Sequence, residues 1–502
     1  MSIGPLRPPT QTEIAAIGKK FHLNLTDEET EAYRELVEDM LDSYARVREI
    51  GQPTTETTVR KRDPGHRVRS GDPYNAWITS CHVPGADSGR LAGWDIAVKD
   101  NIAVGGVEMT CGSQVMEGYV PKQDATVVSR LLDAGADIVG KTNMDDFAFT
   151  GTGKSSAFGA TLNPHDPDHL PGGSSSGSAV VVAEGEVDMA LGGDQGGSIR
   201  APASWTGVVG HKPTHGLVPY VGAIGIENTI DHCGPLTRTV EAAAESLTVL
   251  AGKDPADPRQ PESVPTEDYT AAIEGDPSGL SIGVVGEGFN RPGYESEVNE
   301  QVYAALDTLE DAGATVETVS VELHDAAADI STVALAEGFV ASMTGEGAGH
   351  NWRGHYDTQW IDAFGRARRA QGGDFPPSVK LMLLLGGYTS EQYHSKYYAE
   401  AMNLRAELTD AFDDALVNYD VVAMPTTPMR AHEHNPDEDI FEWIAGAWPN
   451  LANTATFNMT GHPSLSVPVD SADGLPIGLM FSGGHFDDAI VLDAGHAVEQ
   501  VL

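Results

Sequence analysis

From about residue 76 onward, short apolar runs alternate with longer stretches whose apolar positions recur three and four apart. The runs in "LAGWDIAVKD", "ADIVGKT", "VDMALGG", "LSIGVVG", "YDVVAMP", "SLSVPV" and "IGLMFSGG" have the length and β-branched content of strands. Between them, "DATVVSRLLDAGA", "TVEAAAESLTVLAG", "SEVNEQVYAALDTLEDAGA" and "SKYYAEAMNLRAELTDAFDDAL" have the spacing of helices with one apolar face. The alternation predicts an α/β protein with a mixed β-sheet core flanked by helices. Strand-type runs vanish between about 325 and 410, where "WIDAFGRARRAQGG" and "PPSVKLMLLLGGY" predict a helical insertion.

The first 75 residues read differently. "TEIAAIGKKF" has helical spacing, and Thr26 with Glu29 forms a capping box ahead of a second helix carrying Tyr33, Leu36, Val37, Met40, Leu41, Tyr44 and Val47 on one stripe. A single helical layer cannot close a core by itself. The stripe is therefore expected to pack on the larger domain, residues 76–502, and to contribute to a homodimer contact. The connecting segment "GQPTTETTVRKRDPGHRVRSGDP" reads as a linker or extended crossing, its basic cluster pairing with the acidic surface of the same chain.

Charge narrows the partners. Among 502 residues, 74 are acidic and 31 basic, a formal net charge of −43 that repels nucleic acid phosphates and anionic membrane lipid alike. The acids are spread through segments that keep apolar periodicity, so the chain reads as a folded protein adapted to high salt rather than as a disordered acidic tail. No stretch of 18 apolar residues and no basic-then-apolar leader is found, and a cytoplasmic location is expected. Cys81, Cys111 and Cys233 are too few and too scattered for a disulfide framework or a zinc pattern and read as structural thiols.

Two motifs invite chemistry and do not sustain it. "GTGKSS", residues 151–156, ends like a phosphate-binding loop, yet the glycine needed five positions before Gly153 is Ala148. His432, Glu433 and His434 could be metal ligands, but they lie in a Pro-containing acidic loop with no third ligand at a recognised spacing, and no metal or other cofactor is expected.

Three other segments make a set. "PGGSSSGSAVVVAEG" runs from a Gly/Ser stretch directly into an apolar helix starting near Ser178, and "GGDQGGSIR" spends four glycines to place Ser198 at the end of a turn. Ser174 and Ser198 stand 24 positions apart, room for one helix and one strand that would bring both turns to one end of a sheet. Lys99 closes the apolar run "DIAVK" in a chain where lysine is rare.

Taken in this order, "GGSSSGSA", "GGDQGGSIRAPAS", "GVVGHKPTHGLVPY" and "TIDHCGPLTRTV", followed by "YDVVAMPTTPM" and "NTATFNMTGHPSLSVPV", resemble the amidase signature family of serine amidohydrolases over most of residues 76–502. The N-terminal helical region and Gln195 make the likeness greatest to the longer aliphatic and aryl amide amidases of the nitrile-hydratase-associated type. Ser176, where a glycine is common, departs from the family pattern. The resemblance implies a fold with a mixed sheet and cofactor-free hydrolysis of a small amide to the acid and ammonia through an acyl-enzyme. It further implies Ser198 as nucleophile, Ser174, held by a cis peptide bond, as proton relay, and Lys99 as neutral base. Gln195, Gly196, Gly197 and Ser198 would supply oxyanion-hole N–H groups, with Asp194 and Arg200 fixing the turn and Ser175 supporting Ser174 and Lys99. The main alternative is the amidase subunit of a tRNA-dependent amidotransferase, which the chain resembles at "NMDDFAF"; a non-catalytic amide-binding protein is disfavoured because all three catalytic positions are filled.

Overall fold

The computed structural model describes residues 6–51, 62–347, 351 and 353–502. The chain divides into two units, Met1–Lys61 and Arg62–Leu502. Residues 52–61 of the expected linker lie outside the described residues.

In the first unit, α1 (Gln11–Lys20) and α2 (Asp27–Ile50) each start at a capping box. At α2 the Glu29 N–H donates to Thr26 Oγ1 at 3.2 Å and the Thr26 N–H donates to Glu29 Oε2 at 2.9 Å, satisfying two N–H groups that a helix start leaves open. Arg34 reaches Glu31 and Glu38, one turn away on either side. Leu36, Met40, Tyr44 and Val47 form an exposed apolar stripe.

In the second unit, twelve strands among the described residues form one mixed sheet. They are β1 (His66–Arg67), β2 (Trp77–Val83), β3 (Asp95–Lys99), β4 (Asp137–Thr142), β5 (Met189–Asp194), β6 (Val209–Lys212), β7 (His232–Thr237), β8 (Ser281–Val285), β9 (Thr315–Val319), β10 (Val421–Pro425), β11 (Ser464–Ala472) and β12 (Leu475–Ser482). Their order is β1-β2-β4-β3-β5-β7-β6-β11-β12-β10-β8-β9. β3 runs parallel to β4 and β5, and β8 parallel to β9 and β10; the other pairings are antiparallel. The seven apolar runs read as strands all lie in this sheet. β1, β2, β6, β7 and β9 are further strands that the pattern alone does not reveal.

Helices Thr126–Asp133 (α3) and Ser176–Ala183 (α4) flank the β3–β5 region, and Arg200–Thr206 (α5) packs on β6, β11 and β12 and against α4. α4 starts two residues before the expected Ser178, and its first seven residues are buried, so it is a core helix without a wet face. Helices Ala327–Thr344, Thr358–Gln371, Pro377–Tyr393 and Lys396–Leu416 fill the region without strands. Over Glu322–Thr344 the chain is long and apolar enough to cross a membrane, but half of it is buried inside the fold. Ile330, Ala334 and Phe339 are core residues there, packed towards Pro377–Tyr393 and Lys396–Leu416.

The register of β3 against β5 positions the site. Ile96, Ala97 and Val98 pair with Met189, Ala190 and Leu191, so Lys99, the last residue of β3, comes level with Gly192, and β5 runs on past it to Asp194. In α/β sheets the space beyond such carboxyl ends is where ligands bind.

Candidate active site

Lys99 is fully buried at the end of β3. Its Nζ lies 2.7 Å from Ser174 Oγ and donates to the Gly193 carbonyl at 3.1 Å. Burial pulls the ammonium pKa down to about 7, against the opposing pull of Asp145 and Asp194, so that near neutral pH much of the amine carries a lone pair.

Ser174 follows a cis Gly173–Ser174 peptide bond. The Asp145 N–H donates to the Ser174 carbonyl at 3.3 Å, and its carboxylate accepts from the N–H groups of Gly153 and Ser155, both at 2.9 Å, and from Ser155 Oγ at 2.8 Å. A side chain at Gly173 would put a Cβ 2.1 Å from Asp145 Oδ2, so the carboxylate in this place leaves room only for glycine. Ser175 donates from Oγ to the Gly193 carbonyl at 3.1 Å and accepts from the Gly193 N–H at 3.3 Å, tying the serine loop to β5. Ser176 Oγ lies 3.1 Å from Thr161 Oγ1, a partner that a glycine would lack.

The turn after β5 is held from outside. Asp194 accepts from the Ile199 N–H at 3.0 Å and from Arg200 Nε and Nη2 at 3.1 and 2.9 Å. Burial raises the Asp194 carboxyl, and Arg200 more than reverses this, leaving a pKa of about 2. Asn458 closes the network, donating to Asp194 and accepting from Arg200 Nη2 at 2.7 Å. Gly197 has φ +138°, and a Cβ there would meet Thr454 Oγ1 at 2.0 Å; that same hydroxyl donates to the Gly196 carbonyl at 2.7 Å. With carbonyls occupied in this way, the N–H groups of Gln195, Gly196, Gly197 and Ser198 meet no acceptor among the described residues. The Gln195 side chain points to the Tyr220 hydroxyl at 3.0 Å.

Ser198 is almost fully buried beside the serine loop, where the Ser175 N–H donates to its carbonyl at 3.2 Å. No hydrogen bond joins Ser174 Oγ to Ser198 Oγ, so the geometry displays the lysine–serine link directly and brings the second serine to the adjoining turn. All nine residues singled out in the sequence thus converge where β3, β5 and the starts of α4 and α5 meet. Asp145, Tyr220, Thr454 and Asn458 were not singled out in the sequence, although each lies in a segment that carries the family resemblance; they come from three segments, Thr454 and Asn458 being four positions apart in one of them.

A cavity of about 520 Å3 opens against Gly196, with Phe149, Leu335, Met382, Trp448 and Leu451 in its wall. Arg291 and Asp325, 3.4 Å apart, line it as well.

The rejected motifs are occupied otherwise. Lys154 pairs with Glu438 at 2.6 Å and lies 4.9 Å from the Trp443 ring, while the Gly153 N–H serves Asp145, so neither is turned to a phosphate. His432 packs its ring 5.0 Å from that of Trp205. All three cysteines are buried and free.

The model of the amidase family matches residues 76–492. The chain is 42% identical to an enantioselective amidase of Rhodococcus rhodochrous over 97% of its own length and 95% of that protein. It is 43% identical to a glutamyl-tRNA(Gln) amidotransferase subunit of Haloarcula marismortui over 85% of its length and 99% of the relative. Among solved structures, the peptide amidase of Stenotrophomonas maltophilia superposes with a TM-score of 0.68 at 33% identity, covering 82% of this chain and 83% of that one. The buried lysine–serine pair, the braced glycine turn and these similarities converge on one conclusion: the chain belongs to the amidase family of amide C–N hydrolases.

Proposed function

We propose that Ser198, Ser174 and Lys99 act as one catalytic unit that hydrolyses R–CO–NH2 to R–COOH and NH3 through an acyl-enzyme on Ser198. The observation that carries this is the buried Lys99 Nζ, 2.7 Å from Ser174 Oγ, with its pKa drawn to about 7 by burial. Ser198 Oγ attacks the amide carbon while its proton moves to Ser174 and the Ser174 proton to Lys99. The negative oxygen then rests against the unengaged N–H groups of residues 195–198. Collapse breaks the C–N bond, and the proton held by Lys99 returns through Ser174 to the departing ammonia. Water repeats the route and releases the acid.

The apolar wall beside Gly196 supports an aryl or branched alkyl acyl group, because a pocket of this size and lining rewards burial of hydrocarbon. A free-standing amidase is favoured over an amidotransferase component by the extent of likeness: the Rhodococcus amidase matches through the N-terminal helices, and the Haloarcula protein matches 85% of the chain. The net charge of −43 supports adaptation to high salt, the exposed α2 stripe a homodimer contact, and the free buried thiols a cytoplasmic setting.

The test is ammonia release from benzamide, isobutyramide, acetamide and glutamine, with serine labelling by a sulfonyl fluoride. Wild type is expected to prefer the first two amides and to be labelled at Ser198, and Ser198→Ala to lose both turnover and label. Labelling that persists at this peptide in Ser198→Ala refutes the nucleophile. Ammonia released only from glutamine, and only with a partner chain present, assigns the protein to the amidotransferase reading instead.

A further inference from the structure

Away from the residues assigned to amide hydrolysis, Asp413, His462 and His485 bring one carboxylate oxygen and two ring nitrogens within 4.8 Å of one another. Asp413 comes from the last turns of the helix Lys396–Leu416, His462 from the segment just before β11, and His485 from the loop after β12. His462 Nε2 lies 2.9 Å and His485 Nδ1 3.8 Å from the same oxygen, Asp413 Oδ1.

The far side of each ring is already anchored. His485 Nε2 lies 2.9 Å from the Thr460 carbonyl, which can only accept, so this nitrogen carries the hydrogen. In the neutral ring Nδ1 is then a bare lone pair, and it faces a carboxylate. His462 Nδ1 is likewise 2.8 Å from Thr460 Oγ1, leaving Nε2 towards Asp413. Ring nitrogens held from behind by a carbonyl and a hydroxyl, with the opposite nitrogens turned to one carboxylate, are how proteins prepare histidines for a metal; His462 Nε2 donates to Asp413 Oδ1 at 2.9 Å, a hydrogen that a bound ion replaces. In tetrahedral zinc sites with bonds of about 2.0–2.1 Å, neighbouring ligand atoms sit about 3.3 Å apart. The two distances to Asp413 Oδ1 bracket that value.

We infer that Asp413, His462 and His485 form a His2Asp site for a divalent transition metal, with zinc the best fit to two imidazoles and one carboxylate. Asp413 and His485 are partly exposed while His462 is fully buried, so the ion enters from solvent and keeps water on its open side. None of the three belongs to the catalytic unit, and the role is structural. The ion pins the helix Lys396–Leu416 to the end of the β11–β12 pair, where β11 begins and β12 stops. Phe412, next to Asp413, packs edge-on against Phe457 with ring centres 5.0 Å apart, and Phe457 precedes Asn458, which holds Asp194. The clip therefore lies near the support of the oxyanion turn but makes no contact with it or with the reacting groups.

The experiment uses the full chain, stripped with EDTA and returned to chelator-free buffer in high KCl. Titration with Zn2+ by calorimetry is expected to give one saturable site per chain, and Co2+ the visible absorption of a tetrahedral complex. The thermal midpoint should rise with Zn2+ as the bound ion stabilises the folded state. Asp413→Asn and His485→Gln alter partly exposed side chains. Each is expected to weaken Zn2+ binding at least about 100-fold, the upper end of what loss of a mere outer partner costs, while ammonia release by EDTA-stripped enzyme stays at the wild-type level at moderate temperature. Binding of Zn2+ that is equal in wild type and both variants assigns the ions to scattered surface carboxylates and overturns the site. Absence of a saturable site overturns it too and leaves a hydrogen-bonded Asp–His–His cluster in its place.

Discussion

Replacing Lys99 by methionine keeps most of the volume of a fully buried, unbranched side chain, with sulfur in place of the δ-methylene, and removes the amine. That change isolates the proposed base. Removing a positioned proton acceptor costs about 10²–10⁴ in rate, and Lys99 serves both proton transfers, so kcat should fall by at least about 10³ with little change in KM. The pH profile gives the sharper test. With the wild-type amine near pKa 7, the neutral and active fraction is about 9% at pH 6, about half at pH 7 and about 91% at pH 8. kcat/KM should therefore rise about tenfold from pH 6 to pH 8 and then level off. The sign follows from the chemistry: protonation at low pH fills the lone pair that must take the Ser174 proton. The assay is initial-rate ammonia release from benzamide across pH 5.5–9.5 in constant salt, with folding of Lys99→Met verified by its thermal midpoint. A rising limb that survives in the folded methionine variant, or turnover near wild type, refutes Lys99 as base.

Gly197→Ala places a methyl 2.0 Å from Thr454 Oγ1 at φ +138° and should lower kcat by about 10²–10³ through loss of oxyanion donors, whereas Gly196→Ala, whose Cβ meets only Leu451 at 3.7 Å, should lose far less; equal losses in the two variants refute the reading of the turn. The thermal midpoint should climb as KCl increases from 0.1 M to about 3 M, because carboxylate repulsion is felt over about 10 Å in the first case and under about 3 Å in the second; a flat midpoint removes the argument for salt adaptation. Light scattering in high salt should report a dimer for the full chain and a monomer for a chain lacking residues 1–50, and a monomeric full-length protein refutes the α2 contact.

Local physics made part of this protein legible from its residues in order. Seven strands were readable because each is a short apolar run between turn residues, and the start of α2 because Thr26 and Glu29 satisfy one another within four positions. β7, "HCGPLT", was not, since its Gly–Pro pair speaks against a strand and only pairing with β5 and β6 buries it as one. β9 is a partly exposed edge strand whose residues carry too little apolar pattern to be seen. At the site, the sequence determined the residue types: two serines among glycines and one isolated lysine, chemistry legible because glycine-rich turns are rarely built without need. Tertiary structure decided the rest. The β3–β5 register sets Lys99 beside the serine loop, and burial from all sides brings its pKa to about 7. Asp145 comes from the loop after β4, and Thr454 and Asn458 from a segment 258 and 264 residues beyond the groups they hold, to fix two turns. No local pattern encodes such contacts, because they exist only once the sheet has brought distant segments together and excluded the water that would otherwise compete for each hydrogen bond.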